Sequence, residues 1–147
     1  MKISPWICWA LIILSFAGLI DSSIVGLHAS TGFLIPCGFA GGCDQVLSSS
    51  YARVFGMSVA WFGFAFYLTM AGAGLFAFFG TPEVLKISFS AACLAFLVSL
   101  YLLYLQAFVI RAFCDYCLLS ASLVCLIFGL HLWANPWSSP SHSSPER

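Results

Sequence analysis

Charge is what this sequence has least of. Of 147 residues, five are Lys or Arg and five are Asp or Glu, so charged side chains make up 7% of the chain and the two signs cancel. A chain without a basic field has nothing with which to gather nucleic acid or acidic substrates, and those function classes are excluded. Histidine is scarce too, at three residues, which leaves few of the ligands that usually complete a zinc site built on cysteine. No internal repeat is evident. The Pro- and Ser-rich end, residues 135–147, has too few apolar side chains to pack and reads as a disordered tail.

What fills the chain instead is apolar: 62% hydrophobic residues and a mean hydropathy of +1.04. That composition belongs to a bilayer rather than to water. Charges are costly in hydrocarbon, so the runs without them outline the spans: residues 3–20, 54–82, 87–110 and 116–136. A crossing helix needs about 20 residues at about 1.5 Å rise each. The first run reaches that length by taking in the weakly polar stretch to Gly26. Helices are expected near 5–27, 57–79, 85–107 and 113–134, which makes an all-α transmembrane four-helix bundle of residues 1–134. A signal peptide is the alternative at the N-terminus, since Lys2 precedes an apolar run and small residues follow at Ser15 and Ala17; the poor cleavage signal favours a retained helix. The remaining length leaves no room for a second folded domain, so a soluble partner must come in trans.

Four spans put the loop 28–56 and the short connection 108–113 on one side of the membrane, whichever side that is. Lys2, Lys86 and Arg147 then oppose Arg53 and Arg111, a small margin that leans towards cytoplasmic termini. Trp6, Trp9, Trp133 and Trp137 fit a tryptophan belt at the cytoplasmic interface, with Trp61 at the opposite one.

The same parity sorts the seven cysteines. Cys37, Cys43, Cys114 and Cys117 fall on the outer face, whereas Cys8, Cys93 and Cys125 fall within helices, where a cysteine packs as a small hydrophobe. Cys114-Asp115-Tyr116-Cys117 is a C-x-x-C at the start of the fourth helix, with its thiols one turn apart and able to close a short ring. The positive end of the helix dipole and Arg111 nearby favour thiolate there; Asp115 opposes them unless it faces water. Cys37 and Cys43 flank Gly38-Phe39-Ala40-Gly41-Gly42, a spacer that lets the sulfurs meet and leaves the loop mobile. A structural disulfide is the bland alternative for this pair, but a flexible exposed loop gains little from a staple.

These residues resemble the vitamin K epoxide reductase family in its bacterial form, from about Asp21 to Leu123. The resemblance rests on Cys43-Asp44-Gln45-Val46-Leu47-Ser48-Ser49-Ser50-Tyr51-Ala52, similar to the family's cysteine and V-L-x-S-x-Y-A pattern on a short surface helix. It rests further on Gly56-Met57-Ser58 with Gly63 and Tyr67, and on the terminal Cys114 and Cys117. The DsbB family also couples disulfides to quinone across four spans, but carries its C-x-x-C in the first outer loop, the reverse of the order here. The resemblance implies that Cys37 exchanges with a thioredoxin-like, DsbA-like periplasmic partner, that Cys43 relays to Cys114, and that Cys117 faces a quinone, ubiquinone or menaquinone. It implies an inner-membrane location with the cysteines facing the periplasm or outside. Ser49 matches a hydroxyl residue the family keeps near its cysteines, where it would bind quinone oxygen or thiolate.

Two positions depart from the animal enzymes that reduce the epoxide. Ala121 stands where they have a tyrosine, and Trp61, Phe62 and Phe64 occupy the region of an asparagine. Loss of those donors disfavours the epoxide, while an apolar, aromatic pocket still suits a quinone ring. Asp21 is an ionisable residue within a span, expected near the outer interface and solvated there. Gln106, Tyr101 and Tyr104 on the third span are expected to pack or anchor at the interface rather than belong to the site. The competing function is a non-enzymatic metal-binding membrane protein holding zinc or copper with the four outer thiolates. The glycine spacer and the scarcity of histidine favour redox chemistry over it.

Overall fold

The computed structural model describes residues 4–81 and 83–134. The expected tail at 135–147, together with Lys2 and Trp137, lies outside the described residues. Four helices are long and apolar enough to cross a membrane: α1 (Pro5–Thr31), α3 (Val59–Phe78), α4 (Val84–Tyr104, continued by a π-helical turn, Leu105–Ile110) and α5 (Asp115–Ala134). A short helix, α2 (Cys43–Leu47), lies between the first two. The fold is the expected all-α four-helix bundle.

Local chemistry explains the boundaries. Pro5 opens α1, where its missing N–H is not needed, and Gly32 closes it in the left-handed region at φ 71°, its N–H donating to His28 O at 2.9 Å. α1 therefore runs four residues beyond its expected end. Ser58 caps α3 by accepting from the Ala60 N–H. Between α2 and α3, a 3-10 turn (Ser50–Ala52) leads into a two-residue ladder, β1 (Arg53–Val54) against β2 (Met57–Ser58), reversed at Phe55 and Gly56, both at positive φ. This hairpin was not expected.

The helices form a ring in which α1 packs on α3 and α5, and α4 packs on α3 and α5. Their surfaces are apolar all round, so small residues set the spacing rather than a hydrophobic stripe. A Cβ on Gly18 would lie 2.3 Å from the Tyr67 ring, and one on Gly74 3.0 Å from Ile12. Tyr67, Leu11, Met70 and Ile127 fill the centre. Most polar groups in the core are satisfied: Ser15 and Ser22 donate to carbonyls one turn back, and His131 takes the Ser88 hydroxyl across to α4 at 2.9 Å. Trp6, Trp9 and Trp133 are exposed near the ends of α1 and α5 where these leave the bundle, as an interfacial belt requires, and Trp61 sits at the other end beside Ser30. Cys8 is buried in the core, Cys93 half-buried and Cys125 exposed on α5, all three within helices as expected.

Candidate redox site

The C-terminal end of α1, the hairpin, the end of α4 and the start of α5 meet at one end of the bundle, and all four cysteines set apart by parity are there. α4 reaches it in an unusual way. Its last turn widens to a π-turn, and Arg111 at φ 55° reverses the chain so that the Ala112 N–H returns to Gln106 O at 3.1 Å. The widened turn aims the Gln106 side chain back along the reversal, where Oε1 accepts the Cys114 N–H at 2.9 Å. Gln106 is buried and forms the floor on which the C-x-x-C is mounted. Sequence reasoning set Gln106 aside with Tyr101 and Tyr104; the two tyrosines are exposed, as interface anchors would be, but Gln106 belongs to the site.

Cys43 and Cys114 are both fully buried and lie in one cluster with Val46 and Ala112, against which Cys37, Cys117, Ile110 and Tyr116 pack. Cys37 and Cys43 are joined as a disulfide with their Cα atoms 6.1 Å apart, while Cys114 and Cys117 are free. The bonded loop pair therefore sits directly against the start of α5.

The glycine-rich loop is not loose, contrary to expectation. The Gly38 N–H donates to Asp115 Oδ2 at 2.7 Å and the Ala40 N–H to Oδ1 at 3.0 Å. The Tyr116 hydroxyl donates to Pro36 O at 3.1 Å, and the Gly42 N–H to Phe113 O at 3.2 Å. Gly42 is needed because a Cβ there would stand 2.8 Å from Phe113 O and 2.9 Å from Ala112 Cβ. Gly41 supplies a left-handed turn at φ 63°. Asp115 is thus half-buried, and both its oxygens hold the disulfide loop onto α5.

The Cys114 thiol is pulled down to about 7. The largest cause is a hydrogen bond from the Cys117 thiol to the Cys114 sulfur; burial opposes it, and the Cys117 and Tyr116 N–H groups at the head of α5 add to it.

Two polar groups lie deeper. The Tyr67 hydroxyl meets Ser120 O at 3.0 Å and Ser120 Oγ at 2.8 Å, one turn along α5 from Cys117. Asp21, expected to be solvated, is instead 5% exposed, and its Oδ1 has no hydrogen-bond partner. The only signal for it in the sequence was a charge inside a span. Ser49 follows α2 and donates to Val46 O at 2.7 Å, outside the cysteine cluster.

The model of the vitamin K epoxide reductase family matches residues 9–132. The chain belongs to that family. No curated protein matches it. Membership covers nearly the whole described bundle and makes the protein a membrane oxidoreductase, which is the chemistry a disulfide packed on a C-x-x-C can perform. It disfavours the metal-binding alternative, and so does the donor set. The Cys37 and Cys43 sulfurs and an Asp115 oxygen do lie within 4.8 Å of one another, but two of the three donors are joined to each other and the third already accepts two N–H groups.

Proposed function

We propose that this family member is a quinone-linked thiol oxidase that sustains disulfide formation. The observation that carries the reading is the gathering of all four cysteines in one cluster, Cys43 and Cys114 buried and Cys37 and Cys117 half-buried, with the Cys37–Cys43 disulfide against Cys114 and Cys117. A thiolate of a reduced thioredoxin-like partner attacks Cys37, which is half-buried and nearer the surface than Cys43. The partner leaves oxidised and the loop pair is left as a dithiol. Cys43 then attacks Cys114 of the oxidised C-x-x-C, forming a mixed disulfide and freeing Cys117. Cys37 attacks Cys43, closing the loop disulfide and expelling Cys114. Two electrons have moved from loop to helix, and each step exchanges one S–S bond for another. A low thiol pKa makes Cys114 a good leaving group in the last step, which fits its place in the relay.

A quinone bound beside Cys117 supplies the final acceptor for two electrons and two protons. The chain has groups that fit one: a half-buried thiol on the lipid-spanning helix, Ser49 near the surface helix, and a buried Asp21 oxygen without a partner. Ala121 is buried and offers no hydroxyl, which favours a quinone over an epoxide. The cysteines face the periplasm or outside, where disulfides persist. In the test, the Cys37→Ser and Cys43→Ser variants stop oxidation of a reduced DsbA-like protein but still reduce quinone with dithiothreitol, which reaches the half-buried Cys117 directly. Equal loss with both reductants makes the loop disulfide structural and ends the relay.

A further inference from the structure

Among the described residues, Asp21 is the one side chain buried in the bundle with a polar atom that nothing satisfies. Every other buried polar group around it has a partner. Ser22 donates to Gly18 O, and Tyr67 is engaged by Ser120. A carboxyl group away from water and without a partner either carries its proton or meets a donor or acceptor that the polypeptide does not supply.

Its surroundings show which. Asp21 stands one turn beyond Gly18, whose backbone touches the Tyr67 ring; the Tyr67 hydroxyl meets Ser120, one turn beyond Cys117. The carboxyl is within electrostatic reach of Cys117, Cys114 and Tyr67. Asp21, the only Asp, Glu, Lys or Arg of α1, is thus buried one turn from the Gly18–Tyr67 contact.

We infer that Asp21 is the proton carrier between the Cys117 thiol and a quinone oxygen. The inference rests on the quinone-linked reading above. Closing the Cys114–Cys117 disulfide forms one S–S bond and releases two electrons and two protons; both electrons and two protons end on the quinone as two O–H bonds. Asp21 in its acid form gives its proton to one ring oxygen and regains a proton from the Cys117 thiol as the disulfide closes, returning to its starting state. Cys114 loses its proton to the outer aqueous face, and one proton from solvent completes the second O–H. An acid held in place spares the hydroquinone oxygen from forming as an unprotonated anion in an apolar site.

Asp21→Asn keeps the shape and removes the acidic proton. With dithiothreitol and a short-chain ubiquinone it is expected to lose about 100-fold or more in quinone reduction, the usual contribution of a general acid. Disulfide exchange between the loop pair and a reduced DsbA-like protein, followed without quinone, should stay at the wild-type rate. Asp21→Glu should restore part of the loss. A second readout needs no turnover: the infrared carboxylic C=O band of the oxidised wild type should shift on adding short-chain ubiquinone, and that difference should vanish in Asp21→Asn. Quinone reduction by Asp21→Asn within a few-fold of wild type, or an infrared difference that survives the substitution, overturns the role of Asp21. A wild type that reduces no quinone overturns the quinone-linked reading itself and the inference with it.

Discussion

Removing Asp115 should release the disulfide loop. Both carboxylate oxygens accept loop N–H groups, at 2.7 Å from Gly38 and 3.0 Å from Ala40, and the site is only partly shielded from water. Hydrogen bonds to a charged group are worth about 1.5–3 kcal/mol each, and partial exposure argues for the lower end. Asp115→Ala then weakens docking by about 3 kcal/mol, or roughly 150-fold in the docked-to-undocked ratio. Asp115→Asn keeps one acceptor and costs about half as much, roughly 12-fold. Hydrogen exchange of the peptide spanning residues 36–43, read by mass spectrometry, measures this directly, because the Gly38 and Ala40 amides are the ones released. The expected order of protection is wild type, then Asn, then Ala, and relay from a reduced DsbA-like protein to Cys114 should slow in the same order. Unchanged protection in Asp115→Ala would refute the clamp and leave Tyr116–Pro36 and Gly42–Phe113 as the contacts that hold the loop.

Four further outcomes follow. The ultraviolet thiolate absorption that disappears in Cys114→Ala should titrate with a midpoint near pH 7, and in Cys117→Ala the Cys114 midpoint should rise towards the ordinary thiol range, because the Cys117 hydrogen bond to the thiolate is lost; an unmoved midpoint would assign the effect to the helix end alone. Cys114→Ala should leave Cys117 unpaired, and its thiolate, formed at alkaline pH, should give a long-wavelength charge-transfer band with quinone, absent from the double variant lacking Cys117; a band that instead depends on Cys114 would invert their roles. Gly18→Ala should destabilise the bundle by about 1–3 kcal/mol in a denaturation assay, since its Cβ would fall 2.3 Å from the Tyr67 ring; a neutral result would mean that Tyr67 yields freely. A membrane-impermeant thiol reagent added to reduced cells should label Cys37 and Cys43 from outside; labelling only from the cytoplasmic side would place the pair in a reducing compartment and contradict an oxidase.

The solvent, the spans and the parity of the loops were legible in the residues alone. Each of these follows from summed transfer energies over some twenty residues, which a local reading captures. Parity alone was enough to separate Cys37, Cys43, Cys114 and Cys117 from Cys8, Cys93 and Cys125. The tertiary structure decided how the four outer cysteines are held. Asp115 clamps the loop through contacts 77 and 75 residues apart, and Gln106 reaches Cys114 only because a π-turn and a left-handed Arg111 redirect the chain. Gly42, read as part of a flexible spacer, is a close fit instead, because Phe113 and Ala112 leave no space for a Cβ there. Asp21 shows the limit most plainly. Its position along α1 suggested water at an interface, yet the rotation of α1 in the bundle turns it inward, to 5% exposure. Helix rotation is invisible in a span that is apolar on every face, because no hydrophobic stripe records which side is buried; close contacts such as Gly18 on Tyr67 and Gly26 on Trp61 set it.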